Sequence, residues 1–300
     1  MKDNEASSTA YTVLQGLLFV AQKPELSHLV SPRNRELGTH ILQSSAQGRK
    51  RLNQINSAAG KILLPLMERL LLPSISLHYV LRKAYIEKKV REAIDAGATQ
   101  IINLGAGFDT LLYRLAEENT QLNCIEIDHP ATHQVKKQAL TSEQLKLDNL
   151  HFLPVDFTHQ TLQQELGQCS AFAPEKPTVC IVEGVLMYLT PEQIYSLLQS
   201  LLDLLDSSPR HLVFTAVEPA SNHPESYGPL LKLYLKLKGE PLNWLCEEND
   251  LKAFIERSDF KLQETANSDV FRQYFMPDYP HRLHKGEYGA FAVSTSTGEA

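Results

Sequence analysis

The sequence predicts an α/β fold: a doubly wound, mostly parallel sheet with an antiparallel edge, a helical N-terminal extension and an inserted lid. Three observations carry this expectation. From Thr99 onward, short apolar runs alternate with helical patterns, as in a parallel sheet covered on both faces. Before that point the apolar residues recur only at helical intervals. After Ala216 the alternation stops, and two strand-like runs close the chain.

The elements follow in order. Thr9 to Ala21 carries an amphipathic helical pattern. Glu36 to Leu72 is rich in Leu and Ile at helical spacing; Pro65 should break it and Pro73 should end it. Ser76 to Ala96 reads as a long helix with Gly97 as its C-cap. Strands are expected at Ile101 to Leu104, Leu122 to Ile127, His151 to Val155, Thr178 to Val182 and His211 to Val217. Helices should fill the gaps at Thr110 to Glu118, Pro130 to Leu140, Thr161 to Leu166 and Pro191 to Leu205. Residues 219–250 hold prolines, the stretch LLKLYLKLKG and Trp244, and read as a lid. Leu251 to Ser258 resumes as a helix, and Lys261 to Thr265 with Tyr288 to Ser294 should form the antiparallel edge. Residues 1–97 are thus an extension contributing to the pocket, and 98–300 the core with its lid at 219–250.

Composition sets limits. With 300 residues there is room for one large α/β domain with an appendage. Hydrophobic residues are 43% and charged ones 21%, and the net charge is −6, so nothing points to nucleic acid. The cysteines, at 124, 169, 180 and 246, form no C-x-x-C pair, which fits a reducing compartment with neither disulfide frame nor metal site. The opening MKDNEASST lacks a signal-peptide core. Glu68 and Arg69 interrupt the apolar run Ile62 to Leu72, too short to span a bilayer. A cytoplasmic chain without membrane or nucleic-acid partners is expected.

The most informative stretch is Gln100 to Arg114, QIINLGAGFDTLLYR. It reads as a strand that ends in Gly105-Ala106-Gly107 and turns into a helix near Asp109. Glycines let backbone approach a small molecule, and a helix N-terminus adds free N–H groups. Thr110 stands where the dinucleotide fingerprint has its third glycine, and Asp109 would repel a pyrophosphate. A ligand with an ammonium and a sulfonium would not be repelled, which favours S-adenosylmethionine over NAD.

Acids close the following strands. Glu126 and Asp128 point to one side by alternation, roughly twenty residues beyond the glycine turn, the spacing of a ribose-binding acid. Asp128 is preferred because it lies at the strand tip; Asp128 or His129 also suits the N-cap of the helix opening at Pro130. Asp156 can accept the adenine amino group and Phe157 offers a ring face or an N–H, although both equally suit a turn and a core position. Glu183 ends an apolar strand, where a carboxylate needs a cationic partner; a methionine ammonium fits. Gly184 permits a tight turn after it. Tyr188 can reach the pocket with its hydroxyl or pack as a structural tyrosine. Arg82, by pattern alone, is a surface helix residue.

Together, Arg82, LGAGFDTLLYRL, EIDHP, VDF and EGVLMYLTPEQ resemble the leucine carboxyl methyltransferase family. These are class I S-adenosylmethionine-dependent enzymes with a Rossmann-like fold, and the family includes many bacterial members assigned to polyketide-type O-methylation. The likeness covers about residues 76–205, and weakly the opening SSTAYTV. The resemblance implies that Arg82 grips the cofactor carboxylate and that Gly105, Ala106, Gly107 and Asp109 surround the methionine part. It further implies that Asp128 binds ribose, that Asp156 and Phe157 meet adenine, that Glu183 holds the ammonium and that Tyr188 lines the substrate pocket. The sequence departs from the family pattern at Leu111 (usually Arg), Lys83 (usually Thr) and Glu87 (usually Asp). The segment before residue 75 matches poorly, so a small-molecule acceptor is expected rather than the protein C-terminus methylated by the eukaryotic members.

The expected activity is O-methyl transfer to a carboxylate or hydroxyl. A carboxylate is ionised at pH 7 and needs no base; a hydroxyl needs one, with Tyr188, His129 and His133 as candidates. Two other readings compete: a nicotinamide-dependent oxidoreductase, and a binding module that keeps the fold without the chemistry.

Overall fold

The computed structural model describes residues 5–141, 145–157, 159–205, 210–226 and 242–295. Among these, five helices precede the first strand: α1 (Ser8–Val20), α2 (Pro32–Gln43), α3 (Ala46–Asn56), α4 (Ala58–Leu71) and α5 (Ile75–Asp95). Then follow β1 (Gln100–Leu104), α6 (Leu111–Glu118), β2 (Asn123–Asp128), α7 (Pro130–Leu140), β3 (Leu150–Pro154), α8 (Leu162–Gly167), β4 (Thr178–Val182), α9 (Pro191–Leu204) and β5 (Arg210–Val217). The chain closes with α10 (Glu248–Ile255), β6 (Phe260–Ala266), α11 (Ser268–Phe275) and β7 (Glu287–Ser294).

The seven strands form one sheet in the order β3-β2-β1-β4-β5-β7-β6. Pairing is parallel from β3 to β5 and antiparallel at β5–β7 and β7–β6. The expected parallel sheet with an antiparallel edge is therefore what forms. Strand order reverses between β1 and β4, so the carboxyl ends of these two strands flank the crevice where such sheets bind ligands.

Alternation along each strand feeds two cores. Ile101, Val179, Ile181 and Val213 face one side, together with α1, α2, α5 and α6. Ile102, Leu104, Cys180, Val182 and Phe214 face the other, beneath α9 and α10. Both faces are dry, which is why these strands read as unbroken apolar runs.

The Leu-rich stretch after residue 32 does not form one helix broken at Pro65. Ser31, Ser45 and Ser57 each accept a backbone N–H and open a new helix, so serine caps divide the stretch. Pro65 sits inside α4 without ending it. The bond it cannot make belongs to the Lys61 carbonyl, and both residues lie on the exposed side, where water can serve that group. Helix α11 had no sequence expectation. Its eight residues fall between the edge strands, too short a window for periodicity to register. Of the expected lid, residues 227–241 lie outside the described residues. Trp244 is buried against Phe254, with centroids 4.9 Å apart, so this end of the segment packs onto the sheet. No helix among the described residues is long and apolar enough to cross a membrane.

Two glycines test the fold. Gly97 follows α5 with φ +106°, while Ala98 N–H reaches back to the Ala93 carbonyl at 2.9 Å, a left-handed C-cap as expected. A Cβ there meets nothing within 4 Å, so Gly97→Ala costs only backbone strain, about 1 kcal/mol. At Gly289 on β7 a Cβ would lie 2.4 Å from the fully buried ring of Tyr85. Gly289→Ala should cost more, about 1–3 kcal/mol, because α5 must move off the sheet. Urea unfolding of the two variants should rank them in that order.

Candidate active site

The glycine turn is latched to the neighbouring strand. Gly105 and Gly107 have φ +69° and +52°, conformations that side chains resist. The N–H groups of Gly105 and Ala106 both donate to the Ile127 carbonyl, at 2.8 and 3.2 Å. Asp128, one residue further on, closes the turn: Oδ2 accepts from Gly107 N–H at 2.5 Å and Oδ1 from His129 N–H at 2.6 Å. Burial pushes the Asp128 carboxyl above its ordinary range, and the two N–H donors partly offset this. A Cβ on Gly105 would lie 2.4 Å from Val185 Cγ2, so the turns after β1 and β4 touch. Gly184, with φ +67°, lets the chain leave β4 at the angle that makes this contact.

Above the two turns lies a cavity of about 930 Å³. Its floor includes Asn103, Gly105 to Thr110, Asp128 and Glu183, and α5 supplies Arg82 and Lys83. Its apolar wall is Ala10, Val13, Leu14 and Leu17 of α1 with Val185 and Leu189. The N-terminal helices therefore form part of the site.

The charges are interlocked. Arg82 donates from Nε and Nη2 to Glu183 Oε1, at 2.9 and 2.7 Å, and from Nη1 to both oxygens of Glu287, each at 2.6 Å. His78 approaches Glu287 from the other side, Nε2 to Oε2 at 3.1 Å. Lys83 Nζ donates to Asp109 Oδ2 at 2.9 Å and to Glu183 Oε2 at 3.1 Å. Asp109 Oδ1 accepts from Leu111 N–H at 3.0 Å and so caps α6. Burial alone would raise the Glu287 carboxyl, but Arg82 and His78 hold it well below the usual range. Asp109, buried likewise, is held down by Lys83. Burial opposes the charge on Arg82 and Lys83, yet their carboxylate partners raise both.

Of the sequence-predicted residues, Arg82, Gly105, Ala106, Gly107, Asp109, Asp128, Glu183 and Tyr188 come together at this cavity. Asp156 and Phe157 lie one strand outward, beyond the end of β3, and are not among its lining residues; the Phe157 ring is half exposed. Glu126 does not face the site: it is buried under α7 against Lys136 at 2.6 Å, and burial pushes its carboxyl up to about 7. The two histidines proposed as bases are elsewhere. His129 Nδ1 accepts from Ala131 N–H at 3.3 Å and caps α7, one of the alternatives for that position. His133 packs on Phe152, with centroids 5.7 Å apart, and burial lowers its pKa to about 4. Glu87, the departure from aspartate, binds Arg114 at 2.9 and 2.7 Å and ties α5 to α6. Thr110, at the missing glycine, is buried and donates to Asn34 Oδ1 of α2 at 2.9 Å.

Three participants had no sequence signal as site residues. Glu287 opens an edge strand, where acids are normally solvated. Lys83 belongs to a helix rich in charge. Asn103 lies within a buried strand, and polarity at such a position was the one available clue. Asn103 Oδ1 lines the cavity, is buried, and has no hydrogen-bond donor among the described residues.

Residues 24–202 match the family model for leucine carboxyl methyltransferase. The chain belongs to the leucine carboxyl methyltransferase family. It is 30% identical over 206 residues to YktD of Bacillus subtilis, which carries the name of an S-adenosyl-L-methionine-dependent methyltransferase; 67% of each chain is covered. It is 31% identical over 243 residues to a leucine carboxyl methyltransferase 1 homologue of Caenorhabditis briggsae, covering 72% of each. Among solved structures, a DUF574 family protein of Streptomyces avermitilis superposes with a TM-score of 0.57 at 14% identity, covering 97% of this chain and 99% of that one. A Thermobifida fusca structure described as a methyltransferase gives 0.55 at 16% identity, with 86% and 94% covered. These two speak for the fold. Family membership makes the chain an S-adenosylmethionine-dependent methyltransferase with the class I fold, and the nicotinamide reading falls.

The residues present fit that cofactor. Asn103 offers a buried acceptor, the glycine turn leaves room where a Cβ would collide with Val185, and Asp128 keeps lone pairs beyond the two its N–H partners use.

Two expectations follow. Asp128→Ala should weaken S-adenosylhomocysteine binding at least about tenfold by calorimetry, since both the acceptor and the latch on Gly107 are lost. Glu287→Gln should destabilise the protein by about 3 kcal/mol at pH 7, because Arg82 loses a buried counter-charge. A carboxylate depressed on folding contributes stability above its unfolded pKa, near 4.5, and loses it as pH falls toward the folded value. The gap between wild type and Glu287→Gln should therefore narrow steadily as pH falls below about 4.5 in urea titrations.

Proposed function

We propose that the chain methylates the carboxylate of a small, partly apolar molecule. The observation that carries this reading is the absence of a histidine among the described residues lining the cavity, beside two cations, Arg82 and Lys83. Asp109 and Glu183 are already engaged by Lys83 and Arg82. Tyr188 is the remaining phenolic hydroxyl, and a phenol near pKa 10 is a weak base at pH 7. A carboxylate acceptor needs no proton removed. The apolar wall from α1 suits the body of the acceptor, and Tyr188, on the turn after β4, borders the same space.

When bound, S-adenosylmethionine supplies an electrophilic methyl carbon and a neutral leaving group, so no acid is required. The protein's contribution is placement. Asp128 would orient the ribose; Asp156 and Phe157, expected at the adenine, lie one strand outward and do not line the cavity. The glycine turn and Glu183 hold the amino-acid end, and α1 with Val185 and Leu189 exclude water. Alignment of this kind can supply up to about 7–11 kcal/mol of a displacement barrier.

The test is the product's stability. Protein incubated with methyl-tritiated cofactor and a metabolite extract should label a small molecule, and mild alkali should release that label as methanol. A methyl ester behaves this way. Label that survives alkali would show transfer to a hydroxyl or another atom, and no transfer would favour a binding module.

A further inference from the structure

We propose that Lys136 is a positioning residue for the cofactor: a buried ammonium behind Asp128 that keeps this acid able to accept from the ribose hydroxyls. The proposal rests on the reading of Asp128 as the ribose acid.

The placement follows from two periodicities. Cys124, Glu126 and Asp128 alternate onto one face of β2. Helix α7 buries Thr132, His133, Lys136 and Leu140, the stripe that its spacing turns inward. Lys136 is 1% exposed, and its Nζ lies 2.6 Å from Glu126 Oε2. Neither member of this pair lines the cavity, whereas Asp128, the next acid along the same face, does. Lys136 therefore acts on the ligand through Asp128.

The charges around Asp128 show what the ammonium does. Glu126 stands two residues back on the same strand, and Asp109 adds a third acid across the glycine turn. Asp109 is answered by Lys83 of α5 and Arg114 of α6. His129 caps α7 beside Asp128. His133, on the inner stripe, is kept neutral by burial, its pKa lowered to about 4. Lys136 is thus the cation that this stripe brings to β2, and it favours the charged form of Glu126, Asp128 and Asp109 alike. As a structural pair, Glu126 and Lys136 contribute little, because two apolar side chains of similar volume hold a helix to a strand about as well. Apolar side chains cannot hold a charge on Asp128.

That charge matters for the ribose. Asp128 gives one lone pair to Gly107 N–H and one to His129 N–H. The lone pairs left over are those the hydroxyls can use, and a proton on the carboxyl would occupy one of them. Glu126, pushed up to about 7 by burial, takes up its proton first as pH falls. The field of Lys136 on Asp128 is then unopposed, so the ribose acid stays ionised below neutral pH.

The test is the pH dependence of binding, measured by calorimetry with two ligands: S-adenosylhomocysteine and its 2′,3′-dideoxy analogue, which lacks the hydroxyls. The variants are Lys136→Met and the double change Glu126→Leu with Lys136→Met; the second leaves no bare buried charge and carries the measurement if the first fails to fold. Wild type should prefer S-adenosylhomocysteine by about tenfold or more, at pH 8.5 and at pH 6 alike. In the variants this preference should fall by about tenfold between pH 8.5 and 6, because an acid deprived of its cation is protonated at higher pH. Affinity for the analogue should match wild type within about threefold at each pH, since it makes no bond that Asp128 controls. A merely structural lysine would lower both affinities together, at every pH. The proposal is overturned if the variants keep their preference at pH 6, or lose both ligands in parallel. If wild type binds S-adenosylhomocysteine without preferring it to the analogue, the ribose reading of Asp128 fails and the Lys136 proposal with it; if it binds neither, the cofactor assignment fails.

Discussion

The structure depends on how a helix delivers two cations to the ends of three strands. Arg82 and Lys83 are adjacent on α5, and between them they hold Glu183 after β4, Glu287 on β7 and Asp109 at the start of α6. Stripping water from that many charges is expensive, and no single pair repays it. What makes the arrangement stable is that each partner is shared. Glu183 serves both cations, Lys83 serves two acids, and His78 completes Glu287. Removing one member therefore leaves its neighbours uncompensated, which makes the network specify one position of α5 on the sheet more sharply than an apolar contact would.

That position governs the rest. Tyr85, one turn beyond Arg82, presses its ring against the Cα of Gly289, and Glu87 reaches Arg114 on α6. Helix α1 packs on α5 with Gly16 close to Ser76 and Tyr79, and so brings its apolar face over the glycine turn. Thr110 completes the closure by bonding Asn34 of α2. The N-terminal helices are thus fixed by the elements that bear the charges, and the cavity has walls of unlike character: charged toward α5, apolar toward α1.

The sheet was legible because its chemistry is local. Buried parallel strands need unbroken apolar runs, and a carboxylate that ends such a run, as at Asp128 or Glu183, announces the strand tip. The glycine turn was legible for the same reason, since Gly105 and Gly107 have positive φ and side chains are excluded there. Lys83 and Glu287 were not legible, because their meaning is a long-range pairing. The two acidic neighbours of Lys83 lie 26 and 100 positions away, and Glu287 lies 205 from Arg82. A charged residue on a helix looks solvated until the fold says what faces it. Glu126 shows the reverse error. Alternation rightly set it on the same side as Asp128, but two residues back along the strand that side is covered by α7 and answered by Lys136. The helix breaks after residue 32 were missed because serine caps act through one side-chain hydrogen bond, a weaker sequence signal than proline.

The charge count at the site bears on the ligand it can hold. Three carboxylates, Asp109, Glu183 and Glu287, face two cations, Arg82 and Lys83. Asp128 adds a further acid at the turn. Such a site disfavours the two phosphates of a dinucleotide, and the family assignment agrees. S-adenosylmethionine carries a carboxylate, an ammonium and a sulfonium, one positive charge in sum. Loss of the methyl group removes the sulfonium charge and leaves a neutral zwitterion. In a low-dielectric cavity a surplus of negative charge attracts the first form more than the second.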